Sequence, residues 1–148
     1  MIVSKPFCQD LHDKYDHVGK QMAKALFETL NIVLTDNTNK YGINLIAHRD
    51  GVKVGYVEAE TRSEWGEHEF KYKTIIFKHS KKKYLHNDLR SVFVSFNNNY
   101  TLAYVVWDTT ILDSPIVKRK NIYMEDGEYV YDVDLSNIKL IHLHPTIQ

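Results

Sequence analysis

The sequence predicts an α/β fold: one domain over residues 1–148, with a central mixed β-sheet and an N-terminal helix packed on it. Three observations carry this. An apolar stripe at helical spacing runs over residues 10–30. Two β-prone runs then flank Asp50-Gly51. Further short β-prone runs, separated by turn residues, fill the rest of the chain.

The helix is carried by Leu11, Tyr15, Val18, Met22, Leu26 and Leu30, which recur at spacings of three or four. Gly19 weakens it slightly. Asp36, Asn37, Thr38 and Asn39 read as a polar turn. In "YGINLIAHRDGVKVGYVEAET" a two-residue turn at Asp50-Gly51 would pair Arg49 with Val52, and a three-residue loop would pair His48 with Val52. The three-residue version sorts the side chains better and sets Asn44 opposite Tyr56. Ile43, Leu45, Ala47, Gly55, Val57 and Ala59 then share one face, small enough for the helix to lie close. Asn44, Ile46, Val52, Val54, Tyr56, Glu58 and Glu60 share the other. "KTIIF" at 73–77 reads as a strand, and "HSKKKYLHNDL" as a basic loop or short helix. "SVFVSF" and "TLAYVVW" flank Asn97-Asn98-Asn99 as a second hairpin. "DTTILDSP" is a helical turn stopped before Pro115. "NIYMEDGEYVYDV" carries a third hairpin signal at Asp126-Gly127, and "NIKLIHL" a final short strand.

Composition bounds the function without choosing it. The 148 residues suffice for one substantial core, and 43% apolar with 26% charged residues is ordinary globular composition. Nineteen basic residues balance nineteen acidic ones, so net charge favours no partner class. One cysteine, Cys8, excludes an intrachain disulfide framework and fits a reducing compartment. No run approaches the length of a membrane span, and Lys5, Gln9 and Asp10 interrupt any signal-like segment near the start. The expectation is a cytoplasmic protein with no membrane partner.

The chemistry concentrates after the first hairpin. Glu58 and Glu60 are two apart on a strand and point to the same side. Ionised at about 6–7 Å, they repel by about 2–3 kcal/mol at an effective dielectric near 20. A covered face tolerates that only if a cation, a shared proton or water relieves it. One polar residue on the first strand, Asn44, and two acids on the next suit a hard divalent cation such as Mg²⁺ or Mn²⁺. Such an ion activates water and neutralises phosphoryl charge. The basic cluster Lys71, Lys73, Lys78, Lys81, Lys82 and Lys83 follows directly. It suits phosphate neutralisation along a nucleic-acid strand, or a solvated loop. Asp50 is a turn residue. Trp65 stacks on a base or covers a core edge. Of the histidines, His142 and His144 share a strand face, with no third ligand to complete a transition-metal site.

"YGINLIAH" followed by "GVKVGYVEAETR" resembles the PD-(D/E)XK, or restriction-endonuclease-like, nuclease superfamily over roughly residues 10–85. That family shows an N-terminal helix, a hairpin, an Asp on the first strand and Glu-x-Lys or a variant on the second. Here Asn44 stands at the Asp position and Glu60 at the lysine position. The resemblance implies a Mg²⁺-dependent endonuclease of restriction-endonuclease-like fold. Asn44, Glu58 and Glu60 would hold the metal, and Lys81 or Lys83 would replace the missing lysine. Nucleic acid, DNA foremost, is the implied partner, and a homodimer is allowed. The Asn44 departure implies three alternatives: a weakened enzyme, an acid moved elsewhere such as Asp36, or a degenerate module that binds nucleic acid or a protein without cutting.

Overall fold

The computed structural model describes residues 9–38, 43–66, 70, 72–85, 88–120 and 126–143, with side chains from Lys14 onward. Cys8, Lys71 and His144 lie outside the described residues. The helix expected over 10–30 is α1, Gln9–Glu28. It stops where Asn31 turns left-handed at φ 62 and the Ile32 N–H reaches the Phe27 carbonyl at 3.0 Å. The buried face is centred on Ala23 and Phe27, with Met22 and Leu26 at its margins. Leu30, assigned to the apolar stripe, is exposed because the helix has already ended.

Among the described residues nine strands follow: β1 (Val33–Asp36), β2 (Leu45–Arg49), β3 (Val52–Thr61), β4 (Thr74–Lys78), β5 (Arg90–Phe96), β6 (Leu102–Trp107), β7 (Ile116–Arg119), β8 (Glu128–Asp134) and β9 (Lys139–His142). A 3₁₀ turn, His79–Tyr84, follows β4, and a short helix α2, Asp108–Leu112, follows β6. Six strands form a sheet in the order β1-β2-β3-β5-β6-β9, and three form a small sheet in the order β4-β8-β7. All pairs are antiparallel except β3 with β5, so the large sheet is mixed.

The two faces of the large sheet are covered differently. On one, Ala23 and Phe27 of α1 meet Leu45, Ala47, Val57, Ala59, Val92 and Val94. On the other, Phe93, Tyr104 and Val106 meet Ile75, Phe77, Tyr131 and Val133 of the small sheet. A strand in the middle therefore has little open face, and Glu58 is only 6% exposed. No helix of the described residues is long and apolar enough to cross a membrane.

Three expectations are corrected. Asp36, read as the start of a polar turn, is the last residue of β1. This edge strand buries only Leu34, so it carries no alternating signal. The Asp50-Gly51 loop is the two-residue version, with Arg49 paired to Val52 and both turn residues at positive φ, 53 and 78. A bulge follows, because Ala47 pairs Gly55 while His48 pairs Lys53, which leaves Val54 unopposed. Tyr56 therefore faces Ile46 and not Asn44. In the third hairpin β8 pairs with 116–119; residues 121–125 are outside the described ones.

The β5–β6 loop is built on Asn97, which is fully buried. Its Oδ1 accepts the N–H groups of Thr101 and Leu102, both at 2.9 Å, and its Nδ2 donates to the Gly66 carbonyl at 3.0 Å. Asn97→Ala is expected to lower unfolding free energy by about 3 kcal/mol, since buried donors lose their acceptor, against less than about 1 for Asn98→Ala. Urea unfolding of the two variants checks this.

Candidate active site

β3 carries Glu58 and Glu60 on the side that faces the small sheet. Parallel pairing sets Glu58 beside Phe93 and Glu60 beside Ser95 of β5. The chain between β3 and β5 crosses over this face as β4 and the 3₁₀ turn. From that turn Lys81 reaches in. Its Nζ lies 3.5 Å from Glu58 Oε2 and 3.9 Å from Glu60 Oε2.

Each carboxylate has one oxygen anchored and the other turned to Lys81. Glu58 Oε1 accepts the backbone N–H of Asn44 at 3.1 Å. Glu60 Oε1 accepts the Ser95 hydroxyl at 2.6 Å and Arg62 Nη2 at 2.8 Å. Arg62 also donates to the Ile76 carbonyl at 2.6 Å, and its guanidinium lies 5.2 Å from the centre of the Phe77 ring. The free oxygens of the two acids thus converge on one cationic atom.

Burial and charge separate the two acids. Burial pushes the Glu58 carboxyl above its ordinary value, against the pull of Lys81 and the Asn44 N–H. Burial acts the same way on Glu60. There the charges of Arg62 and Lys81 and the Ser95 hydrogen bond outweigh it and lower the carboxyl to about 2. Lys81 loses hydration on burial, yet the two carboxylates raise its pKa and keep it charged.

Among the described residues no group of three or more His, Cys, Asp and Glu side chains could hold a metal. A transition-metal site is not offered. Two converging carboxylate oxygens do fit a hard ion such as Mg²⁺, which keeps several waters and takes one or two carboxylates. The Lys81 ammonium marks where a cation is held between them.

The structure brings together Glu58, Glu60, Lys81 and the backbone of Asn44. The Asn44 carboxamide is engaged elsewhere: its Nδ2 donates to the Ala59 carbonyl and its Oδ1 accepts the Ala59 N–H, both at 3.1 Å. In this arrangement Asn44 fixes β2 on β3, and its N–H holds Glu58. Lys81 is the lysine that meets the acids, while the Lys83 ammonium lies 5.1 Å from the centre of the Tyr84 ring. Lys73, Lys78, Lys82 and Lys83 are exposed. Asp36 pairs with Lys24 of α1 at 3.2 Å, away from the acids. Trp65 is 4% exposed and stacks on Tyr104 at 5.0 Å, a core residue. His142 is exposed on β9.

Sequence reasoning missed Arg62 and Ser95. Arg62 continues the alternation of Glu58 and Glu60, so its side was readable. Ser95 is a polar residue inside "SVFVSF", and that interruption was the available signal. A cleft lined by Thr74, Asp113, Asp132 and Asp134 shares no residue with the site.

Compared with known proteins, the chain matches no family model, no curated protein and no solved structure.

The two acids predict opposite effects on stability. The folded state lowers the Glu60 pKa to about 2, so its contribution is complete above its ordinary value of 4.5 and is lost as pH falls toward 2. Glu58 is raised, so its charge opposes folding at neutral pH. Glu60→Gln is expected to lower stability near neutral pH by about 2 kcal/mol after allowance for solvent screening, with the deficit shrinking in acid. Glu58→Gln is expected to raise it. Denaturant unfolding across that pH range checks both signs.

Proposed function

We propose that the protein is a metal-dependent nuclease that hydrolyses phosphodiester bonds in nucleic acid. The observation that carries this reading is the convergence of Glu58 Oε2 and Glu60 Oε2 on the Lys81 ammonium. Those two oxygens would hold Mg²⁺ or Mn²⁺, with water completing the shell. When bound, such an ion supplies Lewis acidity and a more acidic water at neutral pH.

The chain's own groups supply the rest. Ser95, Arg62 and the Asn44 N–H fix the carboxylates so that they need little reorganisation. With an ion held by the two acids, Lys81 would be the group to steady the attacking water or the leaving oxygen. Lys78, Lys82 and Lys83 are exposed on the strand and turn that deliver Lys81, and they supply positive charge for a phosphate backbone.

One observation favours a second reading. The Asn44 amide oxygen accepts the Ala59 N–H, and among the described residues no group of three or more metal-ligating side chains forms. A module that binds nucleic acid without cutting it would keep the lysines and the fold and have no turnover.

Cleavage of labelled DNA and RNA with Mg²⁺ or Mn²⁺ tests the first reading. Wild type is expected to cut, and Glu58→Gln and Lys81→Met to slow cleavage by at least about a hundredfold. Cleavage that persists unchanged in EDTA or in Glu58→Gln removes the assignment. Binding without cleavage supports the second reading. In either case, changing Lys78, Lys82 and Lys83 together to Ala is expected to flatten the slope of log affinity against log salt by about 2 to 3. Filter binding across a salt series measures that slope.

A further inference from the structure

We propose that Arg62 and Ser95 select the cation, by occupying one oxygen of Glu60 and leaving it a single oxygen to give. The inference rests on the cation-site reading above and adds which ion the site accepts.

Glu60 Oε1 receives two donors, Ser95 Oγ at 2.6 Å and Arg62 Nη2 at 2.8 Å. An sp² carboxylate oxygen has two lone pairs in its plane, and both are spent. The other oxygen faces Lys81 at 3.9 Å. Neither donor is free to follow a rotating carboxylate. Ser95 sits directly beside Glu60 in the β3–β5 pairing. Arg62 is tied to the Ile76 carbonyl of β4 at 2.6 Å and lies over Phe77. Glu58 Oε1 accepts the Asn44 N–H alone, and its Oε2 faces Lys81. Glu60 is therefore the carboxylate whose second oxygen is fully occupied, and the one whose binding mode the donors set.

Ion chemistry gives that arrangement a preference. Mg²⁺ and ions of similar size keep tight octahedral shells with several waters and accept single carboxylate oxygens. Ca²⁺ takes six to eight oxygens and gains from carboxylates that bind through both. Releasing Glu60 Oε1 allows it to turn both oxygens to the ion. Relative affinity for Ca²⁺ then rises.

A plain structural ion pair between Arg62 and Glu60 makes a different prediction. Removing a nearby positive charge changes affinity for every divalent ion alike, since all carry the same charge. The ratio of Mn²⁺ to Ca²⁺ affinity cancels that effect. Ser95→Ala removes a donor with no change of charge, so it isolates the released oxygen.

Calorimetric titration of wild type, Ser95→Ala, Arg62→Met and Arg62→Lys with Mn²⁺ and with Ca²⁺ tests the proposal. The Mn²⁺ to Ca²⁺ ratio is expected to fall about tenfold in Ser95→Ala and in Arg62→Met. Arg62→Lys, which keeps a donor, is expected to recover most of the preference. If wild type binds Mn²⁺ and Ser95→Ala keeps its ratio, selection by these residues is overturned while the cation site stands. If wild type binds neither ion, the cation-site reading falls and this inference with it. Should Arg62→Met fail to fold, Ser95→Ala alone decides the matter.

Discussion

Two carboxylates on one side of a strand covered on both faces constrain everything around them. Buried charge persists only when it is paired and hydrogen-bonded. The pairing cation has to come from outside the strand. The fold supplies it through topology, because β3 and β5 are parallel and cannot be joined by a tight turn. Their connection must cross a face of the sheet. It crosses the face that holds the acids, as β4 and the 3₁₀ turn, and Lys81 projects from that turn onto both of them. The connection that closes the core also neutralises the site.

The same geometry gives two chemically identical residues different characters. Glu60 is surrounded by fixed donors and stays ionised into strong acid. Glu58 has a single backbone N–H and part of one ammonium, and burial dominates it. Arg62 contributes to the difference, since it pairs with Glu60 at 2.8 Å and adds to the pull of Lys81 there.

Much of this was readable from periodicity. Alternation with period two put Glu58 and Glu60 on one side, and helical spacing found α1. The register was not readable, and the reason is instructive. The loop at Asp50-Gly51 is one residue shorter than expected, and the bulge at Val54 adds one residue. Each change moves the pairing by one and together they restore the parity. The two acids came out on the expected side, although the partner of Tyr56 differs and Val52, opposite Arg49, falls on the face of Leu45 and Ala47. β1 carried no signal because an edge strand with one buried residue has no pattern to show. Which lysine turns inward was equally hidden. Lys81 and Lys83 lie on one 3₁₀ turn, and only the position of that turn over β3 separates them. Ser95 acquires its role from a parallel register, a non-local fact that no local pattern encodes.

Asn44 is where sequence analogy and physical chemistry part. An aspartate at this position could accept from the Ala59 N–H but could not donate to the Ala59 carbonyl. The carboxamide does both, so it extends the β2–β3 ladder beyond its last backbone pair, Leu45 with Val57. That stiffening fixes the Asn44 N–H against Glu58. It also spares the site a third negative charge beside a carboxylate that burial already disfavours. The charges then balance, Glu58 and Glu60 against Lys81 and Arg62. Arg62 is locked between two strands, while Lys81 reaches in on a flexible stem. Of the two cations, Arg62 is therefore the fixed one and Lys81 the one free to move.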